Sequence, residues 1–246
     1  MKTLRYFSRF SIIVALAVAL SSAPVRTAPI EIYVDDDATG VQDGSREHPF
    51  RTIKQGINAA VAGQTVIVLP GTYYENVKMK DGVSLIGSGF EVTTIDGLGG
   101  WAVESTGIGA STTLAGFTIT HGSVGILCTL SSLTIRDNYI TSLDLTSTSA
   151  DGIRLDDSSP LIRNNVIYRV GGMGIRGQGK SEPRIINNTI VDYRYYAAIG
   201  FAAVNIGMVA PTVKNNIIVR GNTELVDGIL WRTPAKVQVS YNDVVD

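Results

Sequence analysis

Two arginines, Arg154 and Arg176, follow the same short phrase: Gly152-Ile153-Arg154 and Gly174-Ile175-Arg176. A guanidinium group grips a carboxylate at two points. Two of them side by side repel unless carboxylates or an anionic ligand lie between. Asp156, Gln178 and Arg232 fall in the next outward row, and Asp151, Asp157 and Lys180 lie near the strand ends. Asp151, Asp156 and Asp157 are candidate oxygen ligands for calcium, the candidate cofactor of this chain if it has one. Arg176 or Lys180 is then the candidate base for a proton abstraction. Asp156 and Asp157 are chain neighbours, however, and need not converge on one ion. The plain alternative is a solvated surface on which Asp156 and Asp157 neutralise the arginines.

Placing these residues on one face requires a repeat, and the chain has one. Pro160-Leu161-Ile162-Arg163-Asn164-Asn165-Val166-Ile167, Pro183-Arg184-Ile185-Ile186-Asn187-Asn188-Thr189-Ile190 and Pro211-Thr212-Val213-Lys214-Asn215-Asn216-Ile217-Ile218 share one frame. Looser copies hold Phe117, Asn138 and Asn242 at the position of the second Asn, giving steps of 21, 27, 23, 28 and 26 residues. A phrase returning at this interval marks a solenoid. Apolar and polar residues alternate, with Gly, Asn, Asp, Ser and Pro between the runs, which is strand chemistry. Steps of unequal length suit a parallel β-helix, in which one turn can lengthen without disturbing the stack. From residue 65 onward there is room for about seven coils.

A second ladder, Ile126, Ile153, Ile175, Ile199 and Ile229, faces inward together with Cys128, Leu155, Gly177, Phe201 and Trp231 two residues on. Leu127, Arg154, Arg176, Gly200 and Leu230 then face outward. The second Asn of each phrase is expected to stack in register inside the coil, donating to one neighbour and accepting from the other. The competing reading makes Asn-Asn an ordinary turn pair that tolerates left-handed backbone.

The 246 residues carry 21 Lys and Arg against 22 Asp and Glu, too even a balance for a basic nucleic-acid scaffold. Lys2, Arg5 and Arg9 precede the apolar run 10–20 and Ser21-Ser22-Ala23, a secretory signal cut after Ala23 or as late as Ala28. The mature chain is therefore expected outside the cytoplasm, secreted or periplasmic, with no membrane span of its own. Cys128, the single cysteine, fits the inward frame as a small apolar residue and can form no intramolecular disulfide.

Residues 29–64 read as a strand, an acidic loop and a capping helix ahead of the β-helix of residues 65–246. Thr52-Ile53-Lys54-Gln55 is a capping box opening a helix over residues 53–62, with Ile53, Ile57, Ala60 and Val61 on the buried face and Gly63 at the stop. Such a helix covers the open edge of the first coil. The loop 35–45 carries Asp35, Asp36, Asp37 and Asp43, but Arg46 stands where a calcium loop needs a bidentate Glu, so it reads as a solvated turn. His121-Gly122 ends a strand and reads as a turn. At the other end, the phrase from Ser240 onward stops in strand chemistry, an edge suited to self-association or to a docking partner.

Tyr33-Val34-Asp35, Asp43-Gly44-Ser45, His48-Pro49-Phe50-Arg51-Thr52-Ile53 and Val66-Ile67-Val68-Leu69-Pro70-Gly71-Thr72-Tyr73 resemble the opening of pectin-lyase-like right-handed β-helix proteins, most closely their bacterial secreted families of unknown function. The resemblance spans the mature chain and implies an all-β, right-handed parallel β-helix with an N-terminal capping helix. It says little about activity, because that superfamily contains lyases, hydrolases, epimerases and non-catalytic proteins. In its enzymes long sugar chains lie along the outer face of the first sheet, which here carries Arg154 and Arg176. The leading expectation is contact with an acidic polysaccharide through Arg154, Arg176, Gln178 and Arg232, without assured catalysis. The second is a calcium-dependent, pectate-type lyase using Asp151, Asp156 and Asp157. The third is a structural module that docks through its C-terminal edge. Ser149-Ala150-Asp151-Gly152-Ile153 also resembles a stretch of polygalacturonases, but Gly171-Gly172 stand where that family has paired aspartates, so the acid/base pair of glycoside hydrolysis is missing.

Overall fold

The computed structural model describes residues 31–141, 143–195, 197–202, 211–219, 227–231 and 238–245. Residues 1–30, which include the segment expected to be a secretory signal, and Arg232 lie outside the described residues, as does the side chain of Trp231. All pairings between named strands in the described part are parallel. The chain winds through sheets of nine, eight and seven strands in turn, each strand pairing with its counterpart one coil away, as a right-handed parallel β-helix.

Three interior ladders hold the coils in register. In the nine-stranded sheet Ile32, Val66, Leu85, Leu114, Ile135, Ile162, Ile185, Val213 and Val239 are successive partners. In the eight-stranded sheet the series is Tyr73, Ile95, Ile119, Ile140, Ile167, Ile190, Ile218 and Val244. In the seven-stranded sheet Ile126, Ile153, Ile175, Ile199 and Ile229 align. A one-residue slip would turn any of these rows to water, so the apolar pattern itself sets the register. Burying each such side chain contributes about 1.5–3 kcal/mol relative to leaving it exposed, except for Val239 and Val244 at the last described strands, which remain exposed. Gly177 interrupts the row beside Ile175 because the Phe201 ring of the next coil occupies the space that a Cβ would need.

Cys128 stands in the same row, fully buried. Burial pushes its thiol up to about 12, slightly offset by a hydrogen bond with Ser105. The thiolate is the reactive form, so native protein should resist a thiol reagent at pH 8 and react stoichiometrically once denatured. Rapid labelling of the native form would show that the stack opens at this coil.

The two asparagines of each phrase divide the work. The first position, filled by Asp137, Asn164, Asn187 and Asn215, sits at φ 55–56° in left-handed geometry and bends the chain. The second turns inward, and Asn138, Asn165, Asn188 and Asn216 are buried. Each Nδ2 donates to Oδ1 of the next asparagine at 2.8–3.1 Å, ending at Asn242. Each main-chain N–H from Phe117 to Asn216 donates to that same next Oδ1 at 2.9–3.1 Å. A second Nδ2 bond runs to a backbone carbonyl of the preceding coil: Leu114, Ile135, Ile162, Ile185 or Val213. The ladder reading and the turn reading are therefore both correct, one for each residue of the pair.

The helix runs Ile53–Ala59 with the capping box formed, Thr52 Oγ1 accepting from the Gln55 N–H and Gln55 Oε1 from the Thr52 N–H. It ends earlier than expected, because Ala60 is already extended and Val61 turns out to solvent. Gly56 lies on the buried face instead; any Cβ there would strike Val34 and Val66, so the glycine lets the helix settle onto the first coil.

Candidate functional site

The outer face of the seven-stranded sheet carries two rows. The first runs Lys78, Glu104, Leu127, Arg154, Arg176, Gly200, and the second Thr106, Thr129, Asp156, Gln178. Arg154 and Arg176 are register partners, as their shared phrase implies, and consecutive coils lie about 4.8 Å apart. What keeps two like charges this close is Asp151, whose side chain is fully buried in the corner before the strand Ile153–Asp156. Its Oδ2 accepts from Nε and Nη2 of Arg154 at 2.9 and 2.7 Å. Arg176 Nε lies 2.9 Å from the same oxygen, but its N–H is not aimed there, so that contact is ionic rather than a formed hydrogen bond. Oδ1 accepts the Met173 N–H at 2.9 Å.

Backbone completes the cage. Ser149 and Thr148 turn their carbonyls onto Nη2 of Arg154 and Arg176 at 2.5 and 3.2 Å. Gly171 and Gly172 make room for this arrangement: a Cβ on Gly172 would meet Asp151 Oδ1, and one on Gly171 the carbonyls of Asp144 and Ser147. The absence of aspartates at Gly171-Gly172 thus has a steric reason here. The arginine side chains keep 21% and 18% of their surface exposed, enough for a ligand to touch but not to pull them free.

The three aspartates do not form one ligand set. Asp151 is engaged at both oxygens. Asp157, at φ 50°, accepts the Lys180 N–H at 2.7 Å through Oδ1 and so pins the turn of the next coil. Asp156 differs: its Oδ1 is buried with no hydrogen-bond partner, and burial holds its carboxyl above the usual carboxylate range, with Arg154 pulling the other way. Among the described residues no three His, Cys, Asp or Glu side chains come together to hold a metal. The donors present do not fit calcium as they stand, because those of Asp151 are taken by cations and by an N–H. Gln178 and Lys180 are exposed at the far end of the strand Ile175–Gln178. Counting Lys78, Arg154, Arg176 and Lys180 against Glu104, Asp151, Asp156 and Asp157, the face is balanced in formal charge.

A second constellation escaped the sequence reading. His121 Nδ1 lies 2.8 Å from Asp96 Oδ2, although 25 residues separate them. Asp96 ends the strand Thr93–Asp96, and His121 follows the strand Thr118–Thr120 whose last residue is the register partner of Asp96. A histidine one residue past the coil partner of an aspartate was the only available signal, and the uneven step lengths hide it.

Residues 37–236 match the family model described as "Protein of unknown function (DUF1565)". A curated relative, the uncharacterized protein YwoF of Bacillus subtilis (strain 168), is 31% identical over 70 residues, which is 28% of this chain and 15% of that protein; the chain spans only a small part of its length. Among solved structures, alginate lyase from Paenibacillus sp. str. FPU-7 superposes with a TM-score of 0.51 at 12% identity, covering 78% of this chain and 92% of that one. The catalytic unit of a thermostable GH87 α-1,3-glucanase from Streptomyces thermodiastaticus strain HF3-3 gives 0.52 at 18% identity, covering 87% and 47%. At these identities the likeness is one of fold. Among the described residues no helix is long and apolar enough to cross a membrane.

Proposed function

This chain belongs to the DUF1565 family, and from that premise we propose that it is an exported protein that binds acidic polysaccharide on the outer face of its seven-stranded sheet, without catalysing its cleavage. The observation that carries this reading is the pair of guanidinium groups fixed on adjacent coils by one buried carboxylate. Two cations share a single Asp151, so a ligand carboxylate arriving at their exposed edges meets preorganised donors. Likeness of fold to an alginate lyase and a glucanase supports carbohydrate as the ligand, while its acidic character is read from the arginine pair. Lyase chemistry lacks support in the donor arrangement, because Arg176 is held by Asp151 and Thr148, and the aspartates do not converge.

Immobilised polygalacturonate and alginate, with a neutral glucan as control, test the reading. Wild type should prefer the acidic glycans, bind more weakly as salt rises, and bind more tightly on mild acidification as Asp156 loses its charge. Arg176→Ala should reduce affinity about tenfold or more, roughly 1.4 kcal/mol or above, and Arg176→Lys should not restore it, because the fork is lost. Retention on polygalacturonate and alginate that is indifferent both to salt and to Arg176→Ala would overturn the proposal. Appearance of unsaturated product absorbance with calcium would replace it by the lyase. Association through the exposed Val239, Tyr241, Val244 and Val245, without glycan binding, would replace it by the docking module.

A further inference from the structure

The corner between the eight- and seven-stranded sheets near the N-terminal end gathers three of the large apolar side chains left in water. Tyr74 is 64% exposed, Leu98 62% and Trp101 47%. They sit around the Asp96–His121 pair. Tyr74 is the register partner of Asp96 on the preceding coil. The Leu98 N–H donates to Asp96 Oδ1 at 3.0 Å, and the Gly99 N–H to the His121 carbonyl at 2.6 Å. Asn76 Nδ2 bonds the carbonyls of Gly97 and Trp101, tying the turn down. Asp96 is largely covered and spends both oxygens, one on the turn and one on the imidazole. The ring of His121 is therefore oriented through Nδ1 with Nε2 left for another partner, and its side chain is 64% exposed. His121 also holds φ 50°, a left-handed conformation uncommon for a residue other than glycine.

We propose that this corner is a second glycan subsite, one that takes a neutral sugar residue. Amphipathic rings with one apolar face and one wet end suit a pyranose, whose C–H face packs on the ring while its hydroxyls reach polar groups. His121 Nε2 supplies the hydrogen bond to a hydroxyl, and Trp101 and Tyr74 supply the surface. Charge selects against a uronate here. Beyond Tyr74 opens a cleft of about 370 Å³ that Asp36, Asp37 and Glu75 line against the single cation Arg51, and Asp96 adds a further negative charge. The subsite borrows its general ligand class from the polysaccharide reading above, but its ligand is neutral and its residues are separate from the arginine pair.

Trp101 itself reports occupancy. In a Trp231→Phe background its emission should shift saturably with neutral glucan oligosaccharides and stay unchanged with oligogalacturonates. His121→Gly, whose backbone accepts the left-handed angle, should weaken that response at least tenfold with an unchanged far-ultraviolet spectrum. Arg176→Ala should leave it intact. Asp96→Asn should shift the His121 imidazole nitrogen resonances, as expected if the carboxylate orients the ring. Neutral oligosaccharides that leave Trp101 emission unmoved would sink the subsite while leaving acidic binding at Arg154 and Arg176 standing. A response to oligogalacturonate that survives Arg176→Ala would overturn the neutral ligand class, and a response indifferent to His121→Gly would remove the histidine's role.

Discussion

Replacing Asp151 with asparagine is expected to destabilise the protein by about 3 kcal/mol, the lower part of the range for breaking a buried ion pair. The amide still offers an acceptor to the Met173 N–H but no charge to the two guanidinium groups that share Oδ2. Arg154 and Arg176 would then face each other across one coil spacing with only the carbonyls of Ser149 and Thr148 between them and repulsion. The lower end applies because both side chains keep about a fifth of their surface in water. For a chain of this size the melting temperature should fall by roughly 6–12 °C. Adding Arg154→Met and Arg176→Met to Asp151→Asn should recover much of the loss, since the unpaired cations go with the carboxylate. A shift below about 2 °C for Asp151→Asn would mean that solvent already screens the cluster, and the preorganised arginine face would lose its basis.

Asn188→Ala should cost a comparable amount, roughly 3 kcal/mol, for a different reason. Asn188 Oδ1 accepts from both N and Nδ2 of Asn165, and its own Nδ2 serves the Ile162 carbonyl and Asn216 Oδ1. Truncation strands the buried Asn165 N–H and deprives Ile162, at about 1–3 kcal/mol for each group left unsatisfied. Asn188→Asp should be worse near neutral pH, because a buried carboxylate would point its oxygens at acceptors. Its folded-state pKa would be raised, so stability should return as the pH falls and the acid regains a donor. Asn187→Gly next door should be nearly silent, since Asn187 contributes only a left-handed bend at φ 56°. Denaturant midpoints of the three variants check this order; a costly Asn187→Gly with a mild Asn188→Ala would reverse the roles assigned to the pair.

Much of this architecture was legible beforehand because a β-helix repeats its physics. Each coil must bury the same inward positions, so Ile135, Ile162, Ile185 and Val213 share a frame in the sequence as they share a row in space. The site was legible only in part. The shared phrase put Arg154 and Arg176 on one face, but Asp151 read as a ligand near a strand end and proved to be the buried counter-ion of both. Asp156 and Asp157 looked alike and separate, the one with an unpartnered buried oxygen, the other pinning a turn. Val61, expected on the buried face of the helix, points to solvent, because helical period alone does not say where Ala60 turns the chain.

The sequence by itself determined the winding, the register and the stacked amides, because these follow from a pattern that each coil restates locally. Only the tertiary structure decided which outward side chains meet water and which meet one another. Turns of unequal length fold over some coils and leave others bare, so Thr148 and Ser149 close on the arginines while Asp96 and His121, 25 residues apart, come within 2.8 Å. Contacts of that kind depend on where each loop returns in space, and no spacing along the chain encodes them.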